Sequence, residues 1–246
     1  KLLLYAKYMH KNNDAILHIH ASSPGMYTYA LIAKIAGVKH IIYHIHSTRA
    51  ANEKKTTIIK NSILRRFLSG IPNYNIACSK EAGKDVFKNK DFKVISNGID
   101  IDRFRFNENS RLRMRKELNI ENKFVISQVG RFSPPKNQLF TLKIIHELVK
   151  TDKNVRLVLV GEGSDEDKIR QYINDNGLED YVRIIKPVAN IEDYYSAFDL
   201  FVLPSKWEGF GIVALEAQVS GLISIFSEYV IQDVILFEET KSISIN

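Results

Sequence analysis

With 246 residues, 45% of them hydrophobic, the chain has material for one large domain or two small ones, each with a buried core. One cysteine, Cys78, excludes an internal disulfide framework, suits a reducing cytosol and reads as a small core residue rather than a nucleophile. Lys and Arg total 35 against 28 Asp and Glu; the formal charge of +7 suits anionic ligands or an anionic membrane surface, and without a recognition motif beside it no nucleic acid partner is expected. No apolar run approaches the roughly 18 residues of a transmembrane helix. The opening KLLLYAKYMHKNND is too interrupted for a signal peptide. No Cys/His spacing typical of structural zinc occurs, so no metal ligands are assigned. The first residue is Lys rather than Met, which reads as a fragment or a processed chain.

Residues 15–20, AILHIH, alternate and end in the polar turn Ala21-Ser22-Ser23-Pro24-Gly25, which predicts a strand. Residues 27–36 read as a helix stopped by Gly37, and residues 40–46, HIIYHIH, as a second strand. Strand, helix and strand in this order make a βαβ unit with a parallel sheet. Two His-x-His pairs follow, His18 with His20 and His44 with His46, each pair on one strand face because side chains i and i+2 point the same way. No carboxylate or cysteine accompanies them at a useful spacing, so the reading favours a ligand-facing sheet edge over a metal. His20 and His46 each end a strand, and ligands of open α/β sheets gather at that carboxyl edge. Residues 53–69, EKKTTIIKNSILRRFLS, predict a basic amphipathic helix in which Ile58, Ile59, Ile63, Phe67 and Leu68 alternate with Lys54, Lys55, Lys60, Arg65 and Arg66. One face would lie on the core and the other in solvent; the alternative is contact with a membrane surface. Residues 74–78 predict a strand, Ser79 a cap, and residues 80–87 a helix. Residues 93–106, KVISNGIDIDRFRF, predict a strand ending at Asn97-Gly98 and then an irregular stretch, with a domain boundary near residue 98 and a charged helix over 111–118.

Residues 124–130, FVISQVG, predict an apolar strand that runs into Arg131-Phe132-Ser133-Pro134-Pro135-Lys136-Asn137 and a helix over 138–150. Two cations in one loop between a strand end and a helix start form an anion site, Arg131 by bidentate contact and Lys136 as a point charge. Residues 155–160, VRLVLV, predict the next strand, followed by Gly161-Glu162-Gly163. The GEGSDED segment lacks the third glycine of a dinucleotide fingerprint and is crowded with acids, which argues against a nicotinamide dinucleotide. A helix over 168–176, a strand over 181–185 ending at Lys186-Pro187-Val188, and a short helix over 193–198 complete this part.

The most informative stretch is 199–221, DLFVLPSKWEGFGIVALEAQVSG: strand, glycine-containing loop, helix. The amides of Gly209, Phe210 and Gly211 open the helix, where anions bind, and glycine lets a ligand approach the backbone. Glu208 and Glu216, beside such a site, suit hydroxyl partners. Phosphate plus hydroxyls describes a nucleotide sugar; the competing reading is a helix cap with two surface glutamates.

Glu208-x7-Glu216 within EGFG…LEA…SG resembles the signature of the retaining glycosyltransferases of family 4, most of all the bacterial capsular and exopolysaccharide enzymes. The resemblance implies an α/β protein of the GT-B fold, with two Rossmann-like domains facing a cleft. Residues 1–97 would be part of the acceptor-side domain and 98–246 the nucleotide-sugar domain, truncated at its end. Both read as incomplete, because a first strand with its glycine-rich loop and the closing elements are absent. It further implies transfer of a sugar, with retention, from a nucleotide-diphosphate donor, a UDP-sugar, to a lipid-linked glycan. The setting would be the cytoplasm or the inner face of the plasma membrane. Donor-site positions are then Gly130, Arg131, Lys136, Glu162, Lys186, Pro187, Glu208, Gly209, Phe210, Gly211, Ile212 and Glu216. Arg131 and Lys136 would stabilise the departing diphosphate without a metal or other cofactor, Glu208 would hold donor-sugar hydroxyls, Glu216 the ribose, and His46 would face the reacting sugar. Family members carry glycine near Lys186, where backbone meets the base, so the base is the less certain part of the pattern. Two alternatives are a nucleotide-sugar epimerase of the same fold and a non-catalytic nucleotide-binding remnant.

Overall fold

Parallel strands joined by helices build two separate sheets in the computed structural model of the protein, which describes residues 2–46, 55–208 and 210–245. The chain divides into two units, Lys1–Asn97 and Gly98–Asn246. In the first, α1 (Leu2–Lys11), β1 (Ile16–Ala21), a 3-10 turn (Pro24–Met26), α2 (Tyr27–Ile35), β2 (His40–Ile45), α3 (Lys55–Leu68), β3 (Tyr74–Ala77), α4 (Lys80–Phe87) and β4 (Lys93–Val94) follow one another, and the sheet order is β1-β2-β3-β4. The helix α1 has no counterpart in the sequence reading. Its leucines and Tyr8 are exposed and only Met9 is buried, so it lacks the one-sided apolar stripe that marks a packed helix. Ser79 caps α4 as its sequence predicts, accepting from the Ala82 amide at 3.1 Å.

Two expectations change in this unit. The strand expected from residue 93 to 97 closes after Val94, because its partner β3 ends at Ala77, opposite Val94. In α3 the apolar stripe does not all face inward: Ile59, Ile63 and Phe67 are 60%, 52% and 73% exposed, while Ile58, Leu64 and Leu68 are half-buried. Residues 53 and 54 of that predicted segment lie outside the described residues.

The second unit opens with α5 (Ile101–Phe104), in the stretch expected to be irregular; Asp100 caps it by accepting from the Arg103 amide at 3.1 Å. Then come α6 (Glu108–Glu117), β5 (Phe124–Val129), α7 (Gln138–Thr151), β6 (Val155–Val160), α8 (Glu166–Asp175), β7 (Val182–Ile185), α9 (Ile191–Ala197), β8 (Leu200–Leu203), α10 (Ile212–Val219), β9 (Ile223–Ser227) and β10 (Lys241–Ile243). The sequence reading assigns no element after Gly221, so β9 and β10 are additions. All pairings are parallel, in the order β10-β9-β8-β5-β6-β7. Strand β6 sits inside the sheet with both faces covered, hence its almost unbroken apolar run. Leu142 and Ile145 of α7 pack with Leu157 and Leu159 of β6 and Ile169 of α8 as the core of this half. The chain moves from β5 through β6 to β7, then returns to the other side of β5 with β8. That reversal opens a crevice at the carboxyl ends of β5 and β8, the place where open α/β sheets bind ligands.

Candidate functional site

The loops that leave β5, β6, β7 and β8 meet at this edge. Behind β5, Gly130 to Asn137 is pinned from beneath by buried polar side chains. Gln128 donates to the Lys136 carbonyl at 2.6 Å and accepts from Thr141 at 2.7 Å, and Gln138 donates to the Arg131 carbonyl at 3.0 Å. Asn137 ties the same loop to the one behind β8, donating to the Pro204 carbonyl at 3.1 Å, and the Lys206 amide returns a bond to the Pro135 carbonyl at 2.7 Å. The loop behind β6 is zipped to it by backbone alone: the Phe132 amide donates to the Glu162 carbonyl at 2.8 Å. Only glycine allows that approach. A Cβ on Gly161 would lie 2.1 Å from the Gly130 oxygen, one on Gly163 would lie 2.2 Å from the Phe132 oxygen, and both residues have φ near +150° (151° and 156°). The Gly-Glu-Gly segment therefore serves loop packing.

A cavity of about 390 Å³ lies between these loops, lined by Gly130, Arg131, Glu162, Pro187, Ile191 and Glu216 among others. Five of the residues singled out in the sequence thus share one pocket. Arg131 is exposed at its mouth. Glu216 reaches it from α10 and accepts a hydrogen bond at 2.9 Å from the hydroxyl of buried Tyr195. Burial raises the Glu216 carboxyl above the usual range, against the opposing pull of Tyr195 and Arg103.

Lys136 and Glu208 stand beside this cavity. Their side chains form an ion pair, Lys136 Nζ to Glu208 Oε1, and Ser205 Oγ donates to the same carboxylate oxygen at 2.9 Å. A Cβ on Gly130 would be 3.5 Å from the Lys136 Cε. The pairing modifies the sequence reading, in which Glu208 waits for hydroxyl partners alone; in this structure it neutralises the lysine of the anion loop. Gly211 is the N-cap of α10 at φ 76°, Phe210 is buried, Ile212 is exposed on the first turn, and Gly209 lies outside the described residues. Lys186 is exposed behind β7 and does not line the cavity, whereas Pro187 and Val188 do.

In the first unit, His46 follows β2. Its Nε2 lies 2.8 Å from His20 Nδ1 and its Nδ1 lies 3.0 Å from Asn97 Oδ1. Burial lowers its pKa, with the Asn97 bond working the other way. Sequence reasoning missed Tyr195, Ser205, Asn97 and Ile191. A tyrosine next to an acidic first turn and an asparagine ending a strand were the available signals, but neither names its partner.

Comparison with known proteins agrees with this architecture. The chain is 28% identical over 239 residues to a UDP-Gal:alpha-D-GlcNAc-diphosphoundecaprenol alpha-1,3-galactosyltransferase of Escherichia coli, covering 92% of this chain and 61% of that one. It is 28% identical over 235 residues to the capsular polysaccharide biosynthesis glycosyltransferase CapH of Staphylococcus aureus, covering 91% of this chain and 62% of the other. The chain thus spans about three fifths of the length of the curated relatives it matches (60%, 61% and 62%). Among solved structures, Anabaena HepE in complex with UDP and glucose superposes with a TM-score of 0.85 at 21% identity, over 99% of this chain and 67% of that one, and the likeness shows a GT-B fold. The description "Glycosyltransferase Family 4" matches residues 2–103, and "Glycosyl transferases group 1" matches residues 110–239, more than half of the chain. The chain belongs to the group 1 glycosyl transferases.

Proposed function

We propose that this chain is the greater part of a retaining enzyme that moves a hexose from UDP-sugar to a lipid-linked glycan in surface polysaccharide synthesis. The observation that carries the reading is the cavity at the switch point of the second sheet, where Arg131, Glu162, Pro187 and Glu216 converge beside the Lys136–Glu208 pair. Residues 98–246 act as the donor domain and residues 1–97 as the acceptor side. The diphosphate lies against Arg131 and draws Lys136 from Glu208, so that two cations face the charge that grows on the leaving group. They supply this charge stabilisation in place of a metal ion. Glu208, released from its lysine, accepts from donor-sugar hydroxyls, and Glu216 accepts from the ribose. The relatives named above, one of them a galactosyltransferase acting on a diphosphoundecaprenol-linked sugar, support the choice of donor and acceptor.

Contact with the inner face of the plasma membrane fits the exposed Ile59, Ile63 and Phe67 of α3, which lie beside exposed Lys60 and Arg66. Among the described residues no helix is long and apolar enough to cross a membrane. The experiment that tests the core of the reading is calorimetric titration with UDP, GDP and ADP in EDTA. UDP should bind, and Arg131→Ala should weaken it by about ten- to a hundredfold, the cost of one charge-assisted phosphate contact. A folded chain that binds none of the three overturns it.

A further inference from the structure

Four histidines share one patch of the first unit's sheet. The β1–β2 register sets His20 opposite His44; His18 lies two residues before His20 and His46 two after His44. Ring centroids are 4.2 Å apart for His18 and His20, 5.5 Å for His18 and His44, and 4.0 Å for His44 and His46. One nitrogen from each of His18, His20 and His44 lies within 4.8 Å of the other two.

Two further observations turn proximity into a site. His44 is only 6% exposed, yet neither of its ring nitrogens has a hydrogen-bond partner; the Ile95 backbone lies near the ring and weakly favours its protonated form. A buried polar ring without a partner is costly and asks for a ligand. The second is the proton order along the neighbouring chain. Asn97 presents Oδ1, an acceptor, so His46 carries its proton on Nδ1. Its Nε2 must then accept from His20 Nδ1. A neutral His20 is left with a bare lone pair on Nε2.

We propose that His18, His20 and His44 bind a divalent transition-metal ion of the zinc type. Three imidazoles are a sufficient donor set for such an ion and leave a fourth position for water or another ligand. The absence of a carboxylate or cysteine, which weighs against a metal in the sequence, is no obstacle once a third imidazole arrives from the neighbouring strand. The His20–His46–Asn97 chain supplies the outer contact that orients a metal-bound imidazole. Imidazole sets select borderline ions over magnesium. The proposal rests on residues of the first unit alone and stands whether or not the donor reading holds.

The test is calorimetric titration of the EDTA-treated, desalted chain with Zn2+, alongside His18→Ala, His44→Ala and His40→Ala, with circular dichroism of each. One ion per chain is expected. His18→Ala and His44→Ala should each weaken binding at least about tenfold, since even outer contacts to metal ligands cost that much. His40, exposed elsewhere on β2, should be dispensable. Co2+ should give visible absorption bands that His18→Ala abolishes. Should His44→Ala fail to fold, His18→Ala decides alone, because His18 is exposed and its loss leaves no buried gap. No Zn2+ binding by the parent chain, or equal affinity in the parent and His18→Ala, overturns the proposal.

Discussion

Glu208 and Lys136 neutralise each other at the edge of the donor cavity, and this decides what their substitution should do. Glu208→Gln removes the lysine's partner as well as an acceptor for sugar hydroxyls. UDP should bind at least as well, because Lys136 no longer has a competing carboxylate, while transfer from UDP-sugar should fall by about a hundredfold or more. Isothermal titration and a single-turnover assay separate the two effects; unchanged turnover would remove Glu208 from the mechanism. Glu216 makes a pH prediction. Burial raises its carboxyl, so it takes up a proton at a higher pH than an ordinary glutamate and loses acceptor capacity for the ribose. UDP affinity should therefore decline as pH falls through that raised value, and Glu216→Gln should flatten this part of the profile.

Among the elements, the loops behind β5 and β6 depend on glycine for their contact. Gly161→Ala places a Cβ 2.1 Å from the Gly130 oxygen at φ 151°, so the loops must part. A loss of about 1–3 kcal/mol in chemical denaturation is expected, with weaker UDP binding from a displaced Arg131. Strand β8 is held at its start by Asp199, which bonds Arg111 at 2.6 Å, Arg115 at 3.1 Å and the Val125 amide at 2.8 Å. Burial pushes this carboxyl up, but Arg111, the Val125 amide and Arg115 together hold it below the usual range. Its folded pKa is depressed, so the stability it contributes is present above the unfolded value and is lost as pH falls through the folded one. Asp199→Asn should cost about 3 kcal/mol or more at neutral pH and little in strong acid. For α3, replacing Ile63 and Phe67 with serine should reduce sedimentation with phosphatidylglycerol vesicles without shifting the unfolding midpoint, since both side chains are exposed.

At the level of the whole molecule, two sheets with separate interiors predict two unfolding transitions. UDP should raise only the one belonging to Gly98–Asn246, by mass action on the unit that binds it. A single transition that shifts as a whole would show the units to be one thermodynamic body.

The sequence by itself determined the alternation of strand and helix from residue 15 to 221, except for α5, which lies in a stretch that reads as irregular. Strand-length apolar runs, a capping serine at position 79 and glycine stops are local signals that a linear reading can use. It also placed Arg131, Lys136, Glu208 and Glu216 behind strands or on the helix that follows one, because a parallel sheet sends every such loop to one edge. It did not show α1, β9 or β10, whose residues carry no one-sided pattern long enough to read. Nor did it show how far α3 turns its apolar side outward, because that depends on what packs against it. The pairings were decided only by tertiary structure: Lys136 with Glu208 across 72 residues, Tyr195 with Glu216, His46 with Asn97, and His44 left without a hydrogen-bond partner beside His20 on the neighbouring strand. Hydrogen bonds and ion pairs act over a few ångströms between residues far apart in the chain, and strand order and register, not spacing along the chain, bring those atoms together.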